Sequence, residues 1–371
     1  MRRTEMTGSE AGASGPRPSP PANFRLPHPL WLAGGIPIAL IVGLGALDGG
    51  GTNVVFLAAF VAGAALAPLA ALSVATRRLA FPTTWKRVWI ALAIGAMVSV
   101  PLAIALEIAL PGLILTVALP LRDLVADAAD YDSLEEFFYS PFMVVMLVQF
   151  AVVAPLAEEL VKPIGALVLA RRLRSPSEAF IVGMAGGVAF AVVENMLYET
   201  PGLWGWGEVW AGTVALRSFG AVLHPLTAGM MGVAWFGVRN RQPGAGRRLL
   251  ATFALVCLLH ALWNGGIALL MTDFGAYYFD SREWQISIYD IGVPVALIVL
   301  LMILSLLMWR MLWVVTGRLR GGERDLLLAP PRFASARQLS VVALALLLMT
   351  VPVGALAAPI IRDYLPLLVG G

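Results

Sequence analysis

Four segments of the chain combine carboxylates, imidazoles and amides at spacings that suit hydrolytic chemistry. Glu158 and Glu159 precede Lys162 by four and three residues, so the three side chains neighbour one another on a helix. His260 and Asn264 are also four residues apart and share one helix face. The other polar groups in apolar surroundings are Glu194 with Asn195, and Arg217 with His224 seven residues later.

Hydrolysis of a peptide bond needs an activated water, a base and a group that stabilises the oxyanion. Glu158 or Glu159 supplies the base in this interpretation, and Lys162 holds the carboxylate charge. Asn264 could donate a hydrogen bond to the oxyanion or orient His260. The predicted catalytic residues are therefore Glu158, Glu159, Lys162 and Asn264.

Three residues of these polar segments have side chains that suit a metal ion. Glu194, His224 and His260 offer one carboxylate and two imidazoles, and two His with one Glu is a known catalytic zinc set. We predict these three as metal ligands, with zinc as the candidate ion. No HExxH motif is present, and the single cysteine, Cys257, excludes an intrachain disulfide and a multi-cysteine zinc site.

The segments that carry these residues are long apolar runs. The chain has 371 residues, of which 59% are hydrophobic and 13% charged, against roughly half and a quarter in soluble domains. Its mean hydropathy is +0.82. The apolar residues cluster in runs of about 20 or more, the length that crosses ~30 Å of hydrocarbon. We predict an all-α polytopic membrane protein with about nine transmembrane helices.

The predicted organisation is one membrane core with a tail and a late basic loop. Residues 1–28 form a disordered cytoplasmic tail, and 29–316 form the core. A basic cytoplasmic loop follows at 317–338, and 339–371 hold the final helix and an external C-terminus. The predicted spans are 29–47, 53–75, 87–110, 141–170, 178–198, 209–238, 249–272, 288–316 and 339–359.

Charge in the predicted loops gives the orientation. Every second loop is basic, and the alternate loops are acidic or neutral. By the positive-inside rule this places the N-terminus in the cytoplasm and the C-terminus outside, in the plasma membrane. The basic residues behind the net charge of +3 lie in short loops, so we attribute this charge to membrane orientation. The lipid bilayer is the expected partner, and no nucleic-acid partner is expected.

The polar residues lie at a similar predicted depth. A helical rise of ~1.5 Å per residue puts Glu158, Glu194, His224 and His260 roughly 18–24 Å from a membrane edge. A charge at the bilayer centre costs at least ~2.5–3.5 kcal/mol, so charged residues at this depth indicate a structural or functional role. We therefore predict that four central helices converge on one buried polar site.

The sequence resembles the PrsW family, whose members are membrane proteases related to the CAAX-processing and bacteriocin-processing endopeptidases. Four motifs carry the resemblance: EELVK from Glu158 to Lys162, FAVVEN from Phe190 to Asn195, His224 followed by Gly229, and HALWN from His260 to Asn264. The resemblance covers roughly residues 30–315, and its motifs lie within 158–264. All four motifs, in order and in successive apolar spans, are more specific than any one of them.

The resemblance implies cleavage of a membrane-protein substrate, such as a single-span anti-sigma factor in a stress response. It implies that Glu158 and Glu159 activate water, and that Glu194 stands where the CAAX relatives have histidine. His224 and His260 match the third and fourth motifs. Asn264 departs from the pattern, because many PrsW relatives are expected to have Asp there. The CAAX relatives can also be interpreted as metal-independent glutamate enzymes, so both mechanisms remain open.

Two other functions fit the same residues. An ion- or proton-coupled transporter would use the buried carboxylates and histidines for relay. A catalytically inactive scaffold would retain them as buried ion pairs and interhelical hydrogen bonds. Arg217 is predicted to be a structural counter-ion of Glu194 or Glu159.

Overall fold

The computed structural model describes residues 24–49, 53–79, 83–117, 147–271, 285–288 and 291–321, and these form a bundle of helices. Within these residues, seven helical segments are long and apolar enough to cross a membrane. They are Pro29–Asp48, Val54–Leu79, Trp85–Leu110, Pro176–Trp204, Gly207–Arg239, Ala245–Ala268 and Leu297–Arg320. The helical membrane architecture is therefore as predicted.

The seven segments correspond in order to predicted spans one to three and five to eight. The fourth predicted span, 141–170, is described only from residue 147, and there it consists of short helices. The ninth, 339–359, lies outside the described residues. The count of nine stays a prediction.

The first two helices are α1 (Pro29–Asp48) and α2 (Val54–Leu79), which pack against each other. The residues just before α1 belong to the fold, although the prediction assigned them to a disordered tail. Phe24 and Leu26 are buried, and the Phe24 amide donates to the Thr83 carbonyl at 2.8 Å. The Phe24 ring meets Trp85 edge-on, with ring centroids 4.6 Å apart. Residues 1–23 lie outside the described part of the chain.

Prolines interrupt the next two helical segments. Helix α3 (Trp85–Ile94) passes through a π-helical turn at Gly95–Ser99 into α4 (Val100–Val117). A second π-helical turn, Gln149–Val153, precedes α5 (Ala154–Val161). Each turn ends two residues before a proline, Pro101 or Pro155. A proline removes one i→i−4 hydrogen bond, and the wider turn accommodates that loss.

Pro163 separates α5 from α6 (Ile164–Leu169). Because Pro163 has no N–H, the Glu159 carbonyl loses its helical partner and the helix turns at Lys162. The segment that carries Glu158, Glu159 and Lys162 is therefore bent within the bundle.

Helix α7 (Pro176–Glu199) lies at the centre of the bundle. In an 18-residue stretch of its span 89% of the residues are buried within the protein, compared with 22% in such a stretch of Ala245–Ala268. Its start is capped by Ser175, whose hydroxyl accepts from the Glu178 amide at 3.1 Å. The buried Glu178 side chain forms an ion pair with Arg87 of α3. A 3₁₀ turn, Thr200–Trp204, follows the helix.

Span six, predicted as one helix over 209–238, is broken into α8 (Gly207–Phe219) and α9 (Leu223–Arg239). The break precedes Pro225, whose ring cannot follow a regular helix through residue 221. Gly220 at the break lies so close to Trp263 that a Cβ would be 2.5 Å from the indole ring. The break therefore combines a proline with a position that a larger residue could not occupy.

Helix α7 packs most extensively on α9, through small residues. A Cβ at Gly183 would lie 2.5 Å from the Ala228 carbonyl oxygen. A Cβ at Gly187 would lie 2.2 Å from the His224 carbonyl oxygen. Gly183 and Gly187 are four residues apart, the spacing that lets membrane helices approach closely. This contact fixes the backbone position of His224.

The remaining elements are α10 (Ala245–Met271), a short hairpin and α11 (Val295–Gly321). The hairpin pairs β1 (Gln285–Ile288) with β2 (Ile291–Pro294) in antiparallel register. The prediction that helical span eight begins at residue 288 is therefore wrong by seven residues. Pro294 disfavours helix in the residue before it, and α11 begins at the residue after it. Helix α11 also extends to Gly321, into the predicted basic loop.

Candidate active site

A buried polar cluster lies where α5, α7, α8, α9 and α10 meet, and it contains every predicted site residue. Helix α5 and the turn after it carry Glu158, Glu159 and Lys162, and α10 carries His260 and Asn264. Helix α7 carries Glu194, α8 carries Arg217 and α9 carries His224. Close contacts link all of these side chains.

Lys162 forms the cationic centre of the α5 motif. Its Nζ donates to Glu159 Oε1 at 2.7 Å and lies 2.9 Å from Glu158 Oε2, at ion-pair distance but without hydrogen-bond geometry. It also lies 4.8 Å from the centroid of the Phe190 ring. Lys162 is 1% exposed and Glu159 is 0% exposed. A buried ammonium ion of this kind requires the two carboxylates beside it.

His260 contacts both carboxylates of α5. Its Nδ1 is 2.9 Å from Glu159 Oε1, while its Nε2 is 3.7 Å from Glu158 Oε2. The short contact assigns the proton to Nδ1, which donates to Glu159. The lone pair of Nε2 then faces Glu158. Asn264 Nδ2 is 3.2 Å from the same Nε2, which agrees with an acceptor at that nitrogen.

His224 has an equivalent arrangement with different partners. Its Nε2 is 2.9 Å from Glu194 Oε2, so this nitrogen carries the proton and donates to the carboxylate. Its Nδ1 is 3.7 Å from Glu158 Oε2 and makes no hydrogen bond among the described residues. The ring stacks on Phe190 at a centroid distance of 5.6 Å. His224 and His260 therefore turn one lone pair each toward Glu158.

Arg217 holds Glu194 from the other side. Its Nη2 donates to Glu194 Oε2 at 2.6 Å, and its Nε donates to Asn195 Oδ1 at 2.6 Å. Asn195 in turn donates to the Ala64 carbonyl of α2 at 2.9 Å. The structure thus pairs Arg217 with Glu194, one of the two counter-ion partners considered from the sequence. The bridge from Arg217 to Asn195 was not predicted, although both residues stood out as polar groups in apolar spans.

The atoms that converge suit a metal ion. Ligand atoms of Glu158, His224 and His260 lie within 4.8 Å of one another, and all three side chains are buried. The two separations of 3.7 Å are close to the roughly 3.4 Å expected for tetrahedral ligands at ~2.0–2.1 Å from zinc. In these tautomers two imidazole lone pairs and a carboxylate oxygen face one another, and this arrangement fits a cation. The types and spacing of these donor atoms are therefore suited to a metal ion.

The set of converging donor atoms differs at one position from the predicted ligand set, whose role in metal binding stays a prediction. The prediction named Glu194 with the two histidines, whereas the converging carboxylate is Glu158. Glu194 instead accepts from Arg217 and His224 through the same oxygen. Residue spacing alone could not distinguish the two carboxylates, because the converging one depends on how α5 is rotated beside its prolines.

Comparison with known proteins identifies a family whose model covers these residues. A family model described as PrsW family intramembrane metalloprotease matches residues 83–305, more than half of the chain. The match is narrower than the range that the motifs suggested, but it includes all four motifs, and the resemblance is confirmed at the level of the family. No curated protein and no solved structure matches the chain.

Proposed function

The chain belongs to the PrsW family of intramembrane metalloproteases, and from this premise we propose how its residues hydrolyse a peptide bond within the bilayer. The observation that carries the proposal is the position of Glu158 Oε2, at 3.7 Å from both His224 Nδ1 and His260 Nε2. A water between these three atoms would meet one base and two lone pairs. Such a water is the reactant that hydrolysis requires.

Glu158 is the proposed general base. One of its carboxylate oxygens lies near Lys162 and both imidazoles, whereas Glu159 lies beside Lys162 and the protonated nitrogen of His260. Glu158 therefore accepts the proton of the attacking water, and Glu159 holds Lys162 and His260 in place. Asn264 lies beside His260 and either orients that ring or donates to the oxyanion.

We propose a metal-dependent form of the site as an alternative, in which Glu158, His224 and His260 would hold zinc and Glu158 would be a ligand instead of the base. A metal held there would act as a Lewis acid and lower the pKa of a bound water. The amide of Asn264 contacts the same His260 nitrogen, so it would turn away when that nitrogen coordinates. Glu194 then acts as a positioning residue, because it fixes the tautomer and the angle of the His224 ring.

The proposed substrate is a membrane protein with a single span. The family description supports a protein substrate within the membrane. An anti-sigma factor is the candidate that the motif resemblance suggests. We also propose the plasma membrane as the location, with the N-terminus in the cytoplasm and the C-terminus outside, because that orientation places the basic loops inside.

The test compares the membrane proteomes of cells that carry the wild-type protein, Glu158→Gln or Glu208→Gln. Glu208 is an exposed carboxylate on α8 and serves as the matched control. We expect a truncated single-span protein in wild-type and control cells and its full-length form in Glu158→Gln cells. The same truncated product in all three strains would refute the assignment of Glu158. Absence of any cleaved protein, together with ion flux in vesicles, would support a transporter instead.

The metal assignment has a separate test. Purified wild-type protein is expected to contain about one equivalent of metal by elemental analysis, and His224→Ala is expected to lose it. Full cleavage activity of metal-free protein would refute the metal assignment and would be consistent with the metal-independent glutamate mechanism.

A further inference from the structure

A cavity at the basic end of the bundle is separate from the candidate active site. It measures about 570 Å³ and opens between the end of α6 and the end of α9. Arg171, Arg239 and Arg241 line it, and its apolar walls include Val168, Trp235 and Val238. None of these residues belongs to the polar cluster described above.

The cavity carries an excess of positive charge. Arg171, Arg239 and Arg241 are exposed, and none of them takes part in an ion pair among the residues that the structure describes. The C-termini of α6 and α9 contribute only about half a negative charge each. Three guanidinium groups therefore exceed the charge of the helix ends that they surround.

Part of the cavity wall is apolar. Val168 is 61% exposed, and Trp235 lies beside Val238 on the last turns of α9. Tryptophan is enriched where the hydrocarbon meets the headgroups. The cavity thus joins a cationic end to an apolar wall, which is the pattern of a phospholipid headgroup and its first acyl carbons.

The turn that carries Arg241 is conformationally strained. Arg241 has φ +52°, and within the described residues it is the one non-glycine residue with positive φ. Glycine is the usual residue at such a position after a helix. The turn is fixed by hydrogen bonds from the amides of Asn240 and Gln242 to the carbonyls of Phe236 and Gly237. Arginine at this position is unfavourable for the backbone but adds a third guanidinium to the cavity.

We infer that the cavity binds the headgroup of an anionic phospholipid. Its phosphodiester oxygens accept from Arg171, Arg239 and Arg241, and its acyl chains lie along Val168 and Trp235. The lipid would bridge two segments of the proposed active site, because α6 follows Lys162 and α9 carries His224 in its first turn. This inference does not depend on the proposed protease activity.

The test measures lipid binding to the full-length protein in detergent by native mass spectrometry. The probes are phosphatidylglycerol and phosphatidylcholine. The variant Arg171→Gln/Arg239→Gln is expected to bind phosphatidylglycerol about tenfold more weakly than wild type. Arg172→Gln/Arg247→Gln is the matched control, because both of its arginines are exposed at the same end but do not line the cavity. The control is expected to bind like wild type within about twofold.

A second variant separates binding from folding. Arg241→Gly removes one guanidinium and places glycine where the backbone favours it, so it should weaken phosphatidylglycerol binding without lowering the melting temperature. Equal phosphatidylglycerol binding by the two double variants would overturn the inference. So would equal binding of phosphatidylcholine by the wild type, or displacement of the lipid by inorganic phosphate or a soluble glutamate-rich peptide.

Discussion

Each imidazole of the site uses one nitrogen to donate to a carboxylate and turns the other toward Glu158. His260 donates to Glu159, and His224 donates to Glu194. The two outer carboxylates therefore set the tautomers of the histidines, as they do in carboxylate–histidine–metal arrangements. The roles of Glu158 and Glu159, which their adjacent positions leave open, become distinguishable by experiment.

Replacement of Glu159 by Gln should destabilise the protein more than replacement of Glu158. Glu159 is fully buried and accepts from both Lys162 and His260, so its loss leaves a buried ammonium group with one partner. Removing one member of such a pair costs about 3–5 kcal/mol. Melting temperatures in detergent measure the difference. Equal melting temperatures for Glu159→Gln and Glu158→Gln would contradict this division of roles.

Replacement of Arg217 by Lys should slow hydrolysis while the protein stays folded. Lysine keeps the charge but cannot bridge Glu194 and Asn195 with one planar group. Arg217 holds Glu194, which positions the proposed ligand His224, and loss of such positioning typically costs about 10–100-fold in activity or metal affinity. We expect kcat to fall with little change in KM. A lower melting temperature with unchanged kcat would assign Arg217 a structural role alone.

The sequence predicted the polar residues that the structure brings together and the neighbours within each helix, but it left most pairings between helices open. The depth of each polar residue follows from its distance to a charged loop, and four such depths agree. The pairing depends on helix rotation, which Pro155, Pro163 and Pro225 alter locally. For this reason the carboxylate nearest the two imidazole lone pairs is Glu158 and not the predicted Glu194.

At the scale of helices, the contact between α7 and α9 determines where His224 lies. Gly187→Ala should disrupt it, because the new Cβ would lie 2.2 Å from the His224 carbonyl oxygen and neither backbone can yield locally. We expect both a lower melting temperature and loss of cleavage. Gly212→Ala on α8 is the control, since a Cβ there meets nothing within 4 Å. A melting temperature and cleavage activity of Gly187→Ala equal to those of the wild type would show that the two helices can move apart at little cost.

Helix length and order were predictable because lipid-spanning segments need about 20 apolar residues. The breaks within the predicted spans, in the described part of the chain, involve proline or the short hairpin. Pro163 divides the described part of span four, the break before Pro225 divides span six, and Pro294 precedes α11. Hydropathy does not detect these features, since each proline lies within or beside an apolar stretch.

At the scale of the whole molecule, the basic ends of the helices predict one orientation. Gln242 lies in the basic loop after α9, and Trp204 lies at the other end of the bundle, before α8. With Cys257 replaced by Ser, Gln242→Cys should react with a membrane-impermeant thiol reagent only after the cells are opened. Trp204→Cys should react in intact cells. The reverse pattern of labelling would invert the proposed topology.

The ion pair between Glu194 and Arg217 has a consequence for biosynthesis, because its two charges lie in different helices that are made one after the other. Alone at the bilayer centre, each charge would cost about 2.5–3.5 kcal/mol. Helices α7 and α8 are therefore expected to leave the insertion machinery together as a hairpin. Their pairing would neutralise both charges before α9 and α10 are added to the nascent bundle.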